Sequence, residues 1–341
     1  SKKMEQALIL GQDVVKRYPK NSRPLAILAR VQLANNQNGL AEKTLHKLIS
    51  MEKRDVENRL LLVKILVGQP GKERDALRIL DELSLLVSGT PQNLITVSFY
   101  FTKLKHYKQA VGLAEKVHKL IPETGQGKVL EGDIYMAKGD YDKALLLYNQ
   151  AYGIKVSGKV LGAIADIMNM QGKQAEAIVL LNKELKKDSN LLMARFKLAH
   201  FYQQQNNTVE VERHYKAILR KEPDNALILN NLAWLYFQQN NPKALSLSEQ
   251  AFKRKPTSAF IADTYGVILV KQGDVRQGIV VLEKASQLDE AAYGIQYHLA
   301  QAYSINGNRK KAIEILNRIV KIEYFKEKNA AIDLLGELNR K

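Results

Sequence analysis

The sequence predicts an all-α solenoid of antiparallel helix pairs, and three observations carry that reading. The first is a period. Leu232-Ala233, Tyr265-Gly266 and Leu299-Ala300 fall into register at steps of 33 and 34 residues. The second is a pair of small-residue positions repeated in nearly every unit. The third is punctuation, because glycines and asparagines recur between the helices of a pair and all eight prolines fall at unit boundaries, in turns or in a first helical turn. Self-similarity at a spacing of about 20 to 50 residues marks a stack of small units, none of which can bury its apolar face alone.

In chain order, Lys3 to Tyr18 is amphipathic, with Ala7, Leu10, Gly11, Val14 and Val15 on one face, and it stops at Pro19. In register, residues 1–21 are the second helix of a truncated unit. Nine units follow over residues 22–325, beginning near Ser22, Val56, Pro91, Gly125, Gly158, Leu192, Ala226, Ala259 and Tyr293. Ala29, Gly132, Ala165, Ala199, Ala233, Gly266 and Ala300 stand at the small position of the first helices. Ala41, Ala76, Ala110, Ala144, Ala177, Ala244 and Ala312 take it in the second. Two helix backbones that approach closely need such residues, since overpacking costs about 1–3 kcal/mol. Tyr135, Tyr148, Tyr202, Tyr215, Tyr236 and Tyr303 supply bulk beside them.

Gly139-Asp140, Gly172-Lys173, Gly273-Asp274 and Gly307-Asn308 read as the turns within units, where a left-handed residue ends the first helix. Asn206-Asn207 and Asn240-Asn241 stand in for glycine. Val56 to Thr90 is the least regular unit, its turn being Gly68-Gln69-Pro70-Gly71. Residues 326–341 read as a closing helix with Ala331, Leu334, Leu335 and Leu338 inward, a polar-faced cap of the kind solenoids require.

These residues closely resemble the tetratricopeptide repeat (TPR): Leu-Gly or Leu-Ala, then Tyr, Gly-Asp, Ala, an aromatic residue, Ala and Pro. The resemblance implies a single right-handed superhelix of nine repeats with a C-terminal capping helix. It also implies a concave groove lined by first helices that takes a protein or peptide partner. Carried onto this chain, the groove positions are Phe196, His200 and Gln203, then Asn230, Trp234 and Phe237, then Asp263 and Val267, then Tyr297 and Gln301. Trp234 is the sole tryptophan. It is either packed on the neighbouring repeat or an aromatic anchor of the sort enriched at binding hot spots. Asn231 matches the asparagine with which some TPR proteins clamp a chain-terminal carboxylate, but Phe260 and Thr264 leave that clamp incomplete.

Composition narrows the function. The absence of cysteine removes disulfide and thiolate chemistry. No nucleophile elbow, phosphate-binding glycine loop or paired-histidine metal motif is present, and Gly125-Gln-Gly127 lacks both a third glycine and a preceding strand. The six histidines lie scattered, with only His200 and His214 sharing a repeat. No enzyme activity, cofactor or metal is expected. The net charge of +17 invites an acidic partner such as nucleic acid or an anionic polysaccharide. The cations, however, gather at the ends of second helices, at Lys16-Arg17, Lys186-Lys187, Arg220-Lys221 and Lys253-Arg254-Lys255, where they complement helix dipoles. The aromatics take core positions rather than alternating with them, so nucleic acid ranks low.

The last third is more particular. Asn230-Asn-Leu-Ala-Trp-Leu-Tyr236, Asn241-Pro-Lys-Ala244, Asp263-Thr-Tyr-Gly266 and Gln296-Tyr-His-Leu-Ala300 resemble the C-terminal end of the TPR lipoproteins found at bacterial exopolysaccharide and exosortase (PEP-CTERM) loci. That resemblance implies a periplasmic scaffold, held to a membrane only through an N-terminal lipid-bearing cysteine outside this sequence. The chain opens at Ser1 without an initiator methionine or signal pattern, and is expected to be a piece of a longer protein. A cytoplasmic peptide-binding adaptor is the alternative setting.

Overall fold

The computed structural model describes residues 2–340, and all regular structure in that span is helical: twenty α-helices joined by short turns. The chain divides into two compact units, residues 1–177 and 178–341, with the division inside the helix Gln174–Lys187 (α11).

In the first unit, Lys2–Arg17 (α1) precedes four complete pairs and the first helix of a fifth. The pairs are Ser22–Ala34 with Asn38–Met51 (α2, α3), Val56–Val67 with Glu73–Leu86 (α4, α5), Pro91–Lys103 with Tyr107–Leu120 (α6, α7) and Gln126–Lys138 with Tyr141–Ile154 (α8, α9). Gly158–Met170 (α10) follows. The second unit pairs Leu192–Gln204 with Thr208–Leu219 (α12, α13), Ala226–Gln238 with Lys243–Arg254 (α14, α15), Ala259–Lys271 with Val275–Leu288 (α16, α17) and Tyr293–Ile305 with Arg309–Ile319 (α18, α19). Lys328–Arg340 (α20) ends the chain, burying Ala331 and Leu338 against a cluster that includes Tyr297, Leu299, Ile319 and Phe325.

The turns within pairs share one local chemistry, except that after Gly71 the Lys72 N–H reaches only Gln69, inside the turn (3.3 Å). One residue turns left-handed: Asn36, Gly71, Lys105, Gly139, Gly172, Asn206, Asn240, Gly273 and Gly307 all have φ between 53° and 95°. The next N–H then reaches back to a carbonyl of the finished helix, as Asp140 N–H does to Tyr135 (2.9 Å) and Asp274 N–H to Leu269 (3.0 Å). In the Gly-Asp turns the same aspartate starts the second helix, Asp140 accepting from Lys143 N–H and Asp274 from Gln277 N–H. A two-residue hinge thus satisfies both helix ends. Asn36 and Lys105 were not legible as its members. Lys105, at φ 60°, has no special tolerance for that region, and a left-handed non-glycine residue costs about 1–2 kcal/mol.

The small residues are where the pairs close. Ala29, Ala165, Ala199, Ala233 and Ala300 are fully buried, as are Ala41, Ala76, Ala110, Ala144, Ala177 and Ala312. Where the first helix has glycine the approach is tighter still. A Cβ on Gly132 would stand 2.6 Å from the ring of Tyr148, and one on Gly266 would stand 2.6 Å from Leu282 Cγ.

One expectation needs correction at the N-terminal edge. Leu10 is 64% exposed rather than inward. α1 packs on α2, with Gly11 set against Leu28; Met4, Ala7, Leu8, Gly11, Val14 and Val15 are half-buried, and residue 10 lies outside the covered face.

Candidate functional site

The first helices α14, α16 and α18 pack side by side in the second unit, so residues at matching positions form rows across one face. Their register sets what each row can do. One position inside the start of each of α12, α14 and α16 stand Met193, Leu227 and Phe260, which are 43%, 47% and 57% exposed. None of the three is among the groove positions expected from the sequence. One helical turn further on lie Phe196, Asn230, Asp263 and Tyr297, and another turn on lie His200, Trp234, Val267 and Gln301.

The structure sorts these candidates sharply. Asn230 is fully buried, and neither atom of its amide has a hydrogen-bond partner, so it presents nothing to a partner. Tyr297 is 8% exposed and packed in the terminal core, its hydroxyl accepting from Gln301 Nε2 at 2.7 Å. Both placements correct the expectation that they line an open groove. The second row faces the neighbouring first helix rather than solvent, which a pattern taken from one repeat does not reveal. Phe196 and Phe237 are half-buried against the core formed by Tyr215, Ile228 and Leu232, and Val267 packs likewise on the terminal core. His200 is exposed and lies 3.2 Å from Gln204 Nε2.

Trp234 and Gln203 do come together. They line a cavity of about 350 Å³ with Asn206, Thr208, Val211, Tyr215, Asn231, Leu235, Gln238 and Phe260. Trp234 is half-buried, its ring 5.3 Å from that of Phe237. None of the ten lining residues is charged, although 26% of the chain is. Val211, Trp234, Leu235 and Phe260 stand beside four amides and two hydroxyls, a mixed wall that can cover a ligand's apolar groups and orient its polar ones.

Two histidines of this unit have opposite electrostatics. His298 Nδ1 lies 2.8 and 3.0 Å from the carboxylate oxygens of Asp263, which joins α18 to α16. Burial lowers the imidazole's pKa, but the hydrogen bond and charge of Asp263, with Glu327 beyond, outweigh it and raise the pKa above its usual value. His214 is 1% exposed, stacked on Tyr202 with ring centroids 5.8 Å apart, and its Nδ1 has no partner. Burial, reinforced by Arg213 and Arg195, lowers its pKa to about 4. His200 and His214 therefore have separate surroundings. Among the described residues no three His, Cys, Asp or Glu gather as metal ligands, and no helix is long and apolar enough to cross a membrane.

Residues 127–155 and 269–327 each match a family model of the tetratricopeptide repeat. The chain carries TPR repeats. A TPR repeat-containing protein of Pseudomonas aeruginosa is 30% identical over 121 residues, which are 35% of this chain and 20% of that relative's length. The chain thus spans about a fifth of the curated relative it matches. Among solved structures, the fold is similar to yeast Tom70 (TM-score 0.55, 13% identity, covering 99% of this chain and 85% of the other). It is similar to a human IFIT1 dimer with m7Gppp-AAAA (0.53, 17%, 98% and 85%) and to the APC/C hetero-tetramer Cut9-Hcn1 (0.52, 14%, 99% and 94%). At these identities the likeness is one of fold: an all-helical TPR solenoid, consistent with a protein-interaction scaffold.

Proposed function

We propose that the chain is a non-catalytic scaffold that holds a protein or peptide partner on the first-helix face of its second unit, with Trp234 and Phe260 as anchors. The observation that carries this reading is the uncharged cavity lined by Trp234, with the 57% exposed Phe260 on its wall. Scattered exposed apolar side chains are ordinary, whereas two large aromatic side chains on the wall of one preformed hollow mark an interaction surface. The placement of Gln203 and Trp234 on one cavity with Phe260 supports a groove smaller than the ten residues drawn from the TPR resemblance.

The setting is a finer proposal. The motifs of the last third support a role in exopolysaccharide export or PEP-CTERM protein sorting at a bacterial envelope, with any membrane tether lying outside this sequence. A basic surface for anionic polysaccharide or nucleic acid has less to support it. Arg17 pairs with Asp13, Lys187 with Glu184, Lys253 with Glu249 and Arg254 with Asp224, so much of the charge at the helix ends is already engaged.

The test is capture from separate envelope and cytosolic extracts, using the wild-type chain and Trp234→Ala/Phe260→Ala with matched melting curves. Removal of two anchors is expected to weaken capture by at least about thirtyfold, since hot-spot truncations cost about 2 kcal/mol or more. Recovery of the partner from the envelope extract supports the finer setting, and recovery from cytosol alone removes it. Equal capture by both proteins, released by salt, would overturn the groove and favour the charged surface.

A further inference from the structure

The first unit carries a hollow of different character on its own first-helix face. A cavity of about 450 Å³ lies along the N-terminal half of α8, lined by Ile95, Val129 and Val160 and by Lys155 and Lys159. A second, of about 420 Å³, lies along the C-terminal half between Phe99, Ala137, Lys103 and Lys105. Both are walled by Leu130 and Asp133, so together they form one trough. From Gln126 to Ala137 it follows α8 for about 16 Å, the length of roughly five extended residues.

The trough has an apolar floor and cationic ends. Phe99 is 49% and Val156 57% exposed on its walls. Among the described residues no carboxylate pairs with Lys105, Lys155 or Lys159, and Lys103 Nζ lies 5.5 Å over the Phe99 ring. Among the described lining residues Asp133 is the only acid, and its carboxylate accepts the Tyr148 hydroxyl at 2.6 Å. Two lysines at each end therefore face a space whose one carboxylate among the described lining residues, Asp133, forms no ion pair with any of them.

We infer that this trough binds an internal acidic segment of a partner protein, two or three apolar residues flanked on both sides by Asp or Glu. The apolar residues displace water from Ile95, Val129 and Val160. The flanking carboxylates meet Lys155 and Lys159 at one end and Lys103 and Lys105 at the other, which fixes placement and speeds encounter. No chain terminus is required, because both cationic ends are equivalent in kind. The inference rests on the scaffold reading but uses residues remote in sequence from Trp234.

The probe is a fluorescein-labelled peptide, EELFLEE, with amidated C-terminus, measured by anisotropy against the full chain. Saturable binding is expected, at least about tenfold weaker for KKLFLKK, for EESSSEE, for Lys155→Glu/Lys159→Glu and for Phe99→Ser. Lys116→Glu/Lys119→Glu on α7 removes as much charge away from the trough, and is expected to bind as wild type. All variants are first matched by circular dichroism and melting. Trp234→Ala/Phe260→Ala is expected to bind the peptide normally. Absence of binding, equal binding of KKLFLKK, or equal losses in the α7 control and the trough variant would overturn the inference. The scaffold reading is judged apart from it, by the capture experiment.

Discussion

Gly127→Ala is expected to destabilise the protein by about 3 kcal/mol or more, the upper range for overpacking. A Cβ there would lie 2.5 Å from both the backbone nitrogen and the Cβ of His118 and 2.6 Å from its Cα. These atoms belong to α7 itself and cannot swing aside, so α7 and α8 must separate. Since each repeat is held only by its neighbours, the loss reaches both flanking pairs. Gly153→Ala provides the contrast: nothing lies within 4 Å of its Cβ position, and it sits inside α9, where alanine is favoured by about 0.5–1 kcal/mol. Urea unfolding of the two variants checks the account, and a loss at Gly127 no greater than the effect at Gly153 would contradict it.

The second large effect is acid sensitivity arising from His214. The unfolded imidazole titrates near 6.5, whereas burial holds the folded one at about 4, so between these values the unfolded chain carries a proton that the folded chain does not. Stability is full above about pH 6.5 and falls as pH drops toward 4, by about 3 kcal/mol in all. His298 has the opposite sign. Its folded pKa is raised, so its contribution is present below the unfolded value and is lost as pH rises through the folded one. His214→Phe keeps a ring against Tyr202 and removes the titration. The slope of urea midpoint against pH between 4 and 6.5 is expected to flatten in that variant, and to remain in Asp263→Asn. An unchanged slope in His214→Phe would place the acid sensitivity elsewhere.

The fold was readable because its signals repeat. Each small residue, turn and helix start is stated several times at fixed spacing, and the helices begin at Ser22, Val56, Pro91, Gly158, Leu192, Ala226, Ala259 and Tyr293, the expected repeat starts, or one residue later at Gln126. What escaped belongs to single repeats. Lys105 carries no mark of a left-handed turn residue, and its role follows only from its place between α6 and α7. Gly127 looked like part of a failed phosphate loop, while its actual constraint is the backbone of the preceding helix.

The candidate site was less readable for a related reason. Which rows face outward depends on how one first helix leans on the next, a relation between residues about 34 positions apart. Asn230 and Tyr297 share a row that turns toward the adjacent helix, so they are buried, while Leu227 and Phe260 emerge one turn earlier. Asp263 and His298 lie 35 positions apart and meet through the same contact. A hydrophobic residue one position inside a helix start, recurring as Met193, Leu227 and Phe260, was the signal present in the sequence that marks the outward row.

The most direct measurement is the emission of Trp234, which reports on the cavity alone because no other tryptophan is present. On titration with the partner captured from extract, the account predicts a saturable blue shift and loss of acrylamide quenching as the half-exposed indole is covered. Saturable binding that leaves both the emission and its quenching unchanged would contradict it, and would place the partner on another face.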